Sequence, residues 1–146
     1  MRFIAILAHL PILFSVLMGL VADTCTQGSN VVGTIVIISL PLWLCVTVFA
    51  TLMLIEDFPW RSVSLGRGIL QGLVALPVIG FAFYLLPLGF NAAALTLTGV
   101  NPCGRGFTSE PSTAIESAGA VASVVICVGS IVSVLLLALI RKKGPA

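Results

Sequence analysis

The sequence contains four long apolar stretches, and each is long enough to cross a lipid bilayer as a helix. A membrane helix needs about 20 mostly apolar residues, because the hydrocarbon core is ~30 Å thick and each helical residue rises 1.5 Å. The four stretches cover residues 3–22, 31–55, 69–90 and 114–140, approximately. A water-soluble globule would expose much of this apolar surface, so the pattern indicates a protein of the bilayer.

Charged residues are scarce and lie outside these stretches or at their ends. They make up 8% of the 146 residues, against about 25% in soluble domains. Lipid offers no partner to a free backbone N–H or C=O, so only helices and closed barrels can cross it. Barrel strands alternate apolar and polar residues, whereas runs such as Val124–Ile126 and Leu135–Leu137 are continuously apolar. The sequence therefore predicts an all-α integral membrane four-helix bundle, a single domain over residues 1–146.

The distribution of lysine and arginine predicts the orientation of the bundle. In short loops these residues mark the cytoplasmic side. With both termini in the cytoplasm, only Arg105 lies on the outer side. The cytoplasmic residues are then Arg2, Arg61, Arg67, Arg141, Lys142 and Lys143. We expect cytoplasmic termini, a retained first span, an outer loop at about 91–113 and, from the short loops, a bacterial inner membrane.

The four cysteines divide into two pairs under this orientation. Cys25 and Cys103 face outward, while Cys45 and Cys127 fall inside the second and fourth spans. Paired thiols outside the cytoplasm are expected to oxidise. We therefore predict a Cys25–Cys103 disulfide, with two free thiols as the alternative, and we expect the other two cysteines to act as small packing residues.

Small residues form stripes along the third and fourth spans. In lipid, helices associate through small residues that allow their backbones to approach closely. The predicted packing residues are Gly68, Gly72, Gly80, Gly119, Ser123, Cys127, Ser130 and Ser133. The stripes predict that the third and fourth spans pack together, and the alternative is that one stripe docks another protein.

Three residues within the spans are candidates for a polar site: His9, Trp43 and Tyr84. An ionisable residue inside a membrane span is a functional candidate by default, although a neutral histidine bonded to a neighbouring helix is the simpler interpretation of His9. Trp43 must bury its N–H against a partner, either by filling the core or by lining a pocket for lipid or quinone. With one histidine in the chain, we predict no haem, no metal site and no other cofactor.

Two segment ends carry local signals. Thr113 followed by Glu116 resembles a capping box that opens the fourth span. The mildly apolar segment 91–100 has three possible placements, since it extends the third span, lies in the interface or re-enters the membrane.

The absence of familiar catalytic motifs favours a protein that acts without catalysis. The sequence has no Gly-rich phosphate loop and no serine elbow. No carboxylate lies in the middle of a span, which argues against proton-coupled transport. We predict an accessory subunit or partner-binding protein of the bilayer, including one of the toxin-immunity type, that binds a protein partner and no nucleic acid. Homo-oligomerisation stays open.

Two other functions remain open. An oligomeric channel or transporter for a small neutral or apolar solute is suggested by Pro11, Pro41, Pro77 and Pro87, because broken membrane helices expose backbone to substrates. A thiol–disulfide redox protein is suggested by the two outer cysteines. That chemistry usually needs a Cys-x-x-Cys pair, which this sequence does not contain.

Overall fold

The protein is an all-helical bundle over the part of the chain that the structure describes. The computed structural model describes residues 1–21, 31–56, 65–99 and 113–140, and these contain no strand. The helices are α1 (Arg2–Leu7), α2 (His9–Val21), α3 (Val31–Glu56), α4 (Leu65–Leu97) and α5 (Ala114–Leu139). Because α1 and α2 together make one apolar segment, four segments are long and apolar enough to cross a membrane. The predicted all-α class is confirmed, with four helical segments long and apolar enough to cross a membrane.

The first span is interrupted at Ala8, between α1 and α2. Pro11 explains the interruption, since proline has no N–H to donate to the carbonyl of Leu7 and its ring crowds that carbonyl. Ala8 keeps helical backbone angles and donates its N–H to Ile4. The two short helices therefore continue in nearly the same direction. The other prolines within helices, at Pro41, Pro77 and Pro87, do not interrupt α3 or α4.

Helix α4 is longer than the span predicted at 69–90. Its 33 residues correspond to about 50 Å, well over the ~30 Å hydrocarbon core. The predicted outer loop at 91–113 therefore begins with helix, and Asn91–Leu97 extends the third span rather than leaving it. The helix ends just before Gly99, which has a φ of +79°. This left-handed conformation suits glycine and terminates helices.

The helices surround a common core in which α5 is the most buried member. Half of the apolar part of α5 is buried, compared with 22% for α3 and 28% for α4. Both α2 and α5 pack against α3 and against α4, whereas α3 and α4 do not contact each other within the described ranges. The first span and α5 therefore face each other across the shorter diagonal of the bundle.

Arg2 joins the beginning of the first span to the end of the last. Its Nη1 donates to the carbonyl oxygens of Leu137 at 3.4 Å and Ile140 at 3.0 Å. The last carbonyls of a helix have no partner within that helix, and a cation beside them also interacts favourably with the helix dipole. The beginning of the first span and the end of α5 thus lie side by side at one end of the bundle.

The N-terminus of α5 is fixed by the predicted capping box. The N–H of Glu116 donates to Thr113 Oγ1 at 3.2 Å, and the N–H of Thr113 donates to Glu116 Oε2 at 2.8 Å. Both hydrogen bonds satisfy donors that would otherwise lack partners at the start of the helix. This local prediction is confirmed.

Candidate functional site

Trp43 and Gly129 make a close contact between α3 and α5. A Cβ atom on Gly129 would overlap Cζ2 of the indole and would lie 2.8 Å from Cη2 and 3.2 Å from Cε2. Trp43 is 9% exposed, so its ring fills the space between the two helices. Gly129 is needed here because only a residue without a side chain lets the indole lie against the α5 backbone. The small-residue pattern used for prediction did not single it out.

A second close approach joins α4 to α5. A Cβ atom on Gly89 would lie 2.9 Å from Ser123 Oγ and 3.5 Å from a methyl group of Val124. Ser123 is fully buried, and its hydroxyl donates to the carbonyl of Ala120 at 2.6 Å. The backbone of α4 therefore approaches α5 at Gly89, another glycine that the sequence pattern did not single out.

All five predicted packing residues on α5 are buried. They are Gly119, Ser123, Cys127, Ser130 and Ser133. These positions recur every three or four residues, so they share one face, and that face lies in the core. Cys127 carries a free thiol there.

The predicted glycines of α4, in contrast, make no close contact with the rest of the described bundle. A Cβ atom on Gly68, Gly72 or Gly80 would have no neighbouring atom within 4 Å in the part of the chain that is described. These glycines belong to one row of residues four apart, which also contains Leu76 and Tyr84, 64% and 65% exposed. We call these five residues the outer row of α4. Packing between α4 and α5 uses Gly89 instead.

His9 is fully buried and has one hydrogen bond. Its Nδ1 lies 2.8 Å from the carbonyl oxygen of Ala5, one turn earlier in the first span. A carbonyl only accepts hydrogen bonds, so Nδ1 carries the proton. In the neutral ring Nε2 is then an acceptor, and it has no hydrogen-bond partner among the described residues.

Three further buried polar atoms lack partners within the described ranges. They are Trp43 Nε1, Thr47 Oγ1 and Ser130 Oγ. An unsatisfied buried polar group costs roughly 1–3 kcal/mol, so each of the four calls for a physical explanation. Two of the four atoms belong to α3 and one belongs to α5, the two helices that meet at the Trp43–Gly129 contact. The fourth is Nε2 of His9 on α2.

Other hydroxyl groups of the bundle are satisfied within their own helices. Ser15, Ser39 and Thr51 each donate to the carbonyl four residues earlier, at 2.8–3.0 Å. This is the usual solution for a hydroxyl inside a membrane helix. Thr47 and Ser130 do not adopt it, so their hydroxyl groups remain available to something else.

The remaining candidates are separated from this interior group. The structure brings His9 and Trp43 into the core but leaves Tyr84 on the outer surface. Cys45 has a free thiol and is exposed on α3. Cys25 and Cys103, the predicted disulfide, lie outside the described residues. Within the described ranges, no three His, Cys, Asp or Glu side chains come together as metal ligands would.

Comparison with known protein families, with curated proteins and with solved structures finds no match for this chain.

Proposed function

We propose that this protein is a non-catalytic accessory subunit of the membrane, and that it binds a helix of a different membrane protein along the outer row of α4. The observation that carries the proposal is the open space over Gly68, Gly72 and Gly80, where an added Cβ would meet nothing within 4 Å among the described residues. A partner helix can approach such a surface more closely than one covered by larger side chains.

The cost of glycine supports this reading. Glycine inside a helix is less favourable than alanine by about 0.5–1 kcal/mol, and the bundle itself makes no close contact at these three positions. Tyr84 continues the row one turn beyond Gly80 and is 65% exposed. Its phenol offers a hydrogen bond that lipid tails cannot accept but that a partner helix can.

The uneven burial of the helices also supports a partner. Only 28% of the apolar part of α4 is buried, against 50% for α5. Lipid alone can cover such a face, so burial does not decide the matter by itself. The combination of a largely exposed helix with a glycine row is what favours a protein neighbour.

We further propose that both termini lie in the cytoplasm, that the membrane is a bacterial inner membrane, and that Cys25 and Cys103 pair outside it. The excess of lysine and arginine on one side supports this orientation. The hydrogen bonds from Arg2 to the end of α5 are consistent with it, because they require the two ends to lie on the same side.

Site-specific photo-crosslinking in native membranes tests the proposed partner surface. A photoreactive amino acid at Leu76, in the middle of the outer row, should give a discrete product containing a second, different protein. The matched control is Leu52 on α3, which is 50% exposed and should give only lipid adducts. Adding Gly72→Leu to the Leu76 probe should abolish the product, whereas Gly66→Leu should not, since Gly66 also has open space but lies outside the row.

Two results would contradict the proposal. A product that contains only a second copy of this chain would make the row a homo-oligomer interface. Equal labelling from Leu76 and Leu52, with no protein product from either, would mean that lipid covers both faces.

A further inference from the structure

We propose that the interior of the bundle contains a hydrated polar site between α2, α3 and α5, where one or more water molecules bond to His9 Nε2, Trp43 Nε1, Thr47 Oγ1 and Ser130 Oγ. These atoms are buried and have no hydrogen-bond partner among the described residues. His9 and Ser130 are fully buried, and Trp43 is 9% exposed. The proposal is independent of the partner surface on α4.

The groups on α3 and α5 lie beside one another. Cε2 of the Trp43 indole would be 3.2 Å from a Cβ on Gly129, and Nε1 is bonded to Cε2. The indole N–H is therefore at the surface of α5 next to Gly129, and Ser130 is the following residue. Thr47 lies one turn along α3 from Trp43, on the same face of that helix.

Helix geometry places His9 near the depth of Ser130, across the bundle axis from it. Arg2 contacts the carbonyls of Leu137 and Ile140, which sets the relative level of the first span and α5. His9 is seven residues after Arg2, whereas Ser130 is seven residues before Leu137 and ten before Ile140. His9 is therefore about 10 Å, and Ser130 about 10–15 Å, from the Arg2 contacts along their helices. Since the first span and α5 contact each other and both side chains are fully buried, the proposed site places His9 and Ser130 near each other at the bundle axis.

The chemistry of the four groups matches water. Trp43 offers only a donor, His9 Nε2 offers only an acceptor in the tautomer fixed by Ala5, and the two hydroxyls can do either. Water donates and accepts at the same time, so it can join a pure donor to a pure acceptor. Buried waters in proteins typically make about three hydrogen bonds to polar groups that otherwise lack partners.

Water-edited solid-state NMR of the full chain in lipid vesicles tests the site. The Trp60→Phe variant leaves Trp43 as the only indole, and His9 is the only imidazole. Magnetisation from water should reach the Trp43 indole N–H much faster than the backbone amide of Val36, a fully buried reference on the same helix. The ¹⁵N shifts should show a protonated Nδ1 and an unprotonated Nε2 on His9.

Two serine variants complete the test. Ser130→Ala removes one of the four groups and should cause loss of the fast transfer to Trp43. Ser123→Ala is the matched control, because Ser123 is equally buried on α5 but already donates to Ala120, and transfer should be unchanged.

Transfer to the indole as slow as to Val36 would overturn the proposal. A proton on His9 Nε2 with none on Nδ1, or fast transfer that survives Ser130→Ala, would do the same. If the Ser130 variant does not fold, the His9 protonation and the rate of water transfer to Trp43 in the Trp60→Phe chain are sufficient to test the proposal.

Discussion

Replacing Gly129 by alanine should destabilise the bundle at a single contact. The new Cβ would overlap Cζ2 of Trp43 and would lie 2.8 Å from Cη2. Carbon atoms prefer separations of about 3.5–4.0 Å, so the indole would have to retreat by about 1 Å. It has little room to do so, because Trp43 is 9% exposed and packs between α3 and α5.

The size of the effect follows from two opposing terms. Overpacking a filled core costs roughly 1–3 kcal/mol. Alanine is more favourable than glycine within a helix by about 1 kcal/mol. The overpacking term is at least as large as the helix term, so we expect Gly129→Ala to lower the free energy of unfolding by up to about 2 kcal/mol.

Reversible unfolding in mixed detergent micelles, followed by far-ultraviolet circular dichroism, measures this change. Gly80→Ala is the control, since nothing lies within 4 Å of its Cβ position, and it should leave stability unchanged or slightly higher. In a Trp43→Leu background the overpacking term should disappear while the helix term stays, which gives a coupling of roughly 1–3 kcal/mol between the two sites. Two results would refute the packing of the Trp43 indole against Gly129. One is equal stability of the two alanine variants, and the other is an unchanged loss of stability from Gly129→Ala when the indole is absent.

Three further predictions concern the ends and loops of the chain. Arg2→Met should lower stability by about 1.5–3 kcal/mol because it removes the charged donor to the last carbonyls of α5; Arg2→Lys should lose less, and equal losses would contradict the role of the guanidinium. Thr113→Ala should cost about 1 kcal/mol by removing the helix cap, whereas Glu116→Gln should retain most of it, and the same unfolding assay compares them. An impermeant maleimide applied to intact cells should label Cys25 and Cys103 only after reduction, and labelling without reductant would argue against their disulfide.

The membrane-spanning helices were predictable because the bilayer itself enforces them. Each stretch had to satisfy its backbone internally and keep charge out of the hydrocarbon, so sequence alone located all four. The cap at Thr113 was predictable for a similar reason, since a capping box depends only on residues three apart. The far end of α4 was not, because Asn91–Leu97 is neither strongly apolar nor rich in turn residues; in the structure this segment is helical and buries Ala93 and Thr96.

The sequence pattern indicated the packing face of α5, whose predicted residues are all buried, but it did not indicate the packing face of α4. Gly68, Gly72 and Gly80 formed the more regular glycine pattern, yet they lie on the open side of α4, and Gly89 makes the contact with α5. In a soluble helix the polar face would have marked the outside. Around a membrane helix, lipid tails and protein core are equally apolar, so the distribution of apolar residues does not show which face points outward.

The sequence by itself therefore determined the number of spans, their positions and the few polar residues at depth, because burial of charge and backbone in lipid is costly at any position. Only the tertiary structure decided which of those residues meet. It set His9, Trp43 and Ser130 inward and left Tyr84 outside, since the rotation of each helix depends on shape complementarity at contacts such as Trp43 with Gly129, which no single stretch of sequence contains.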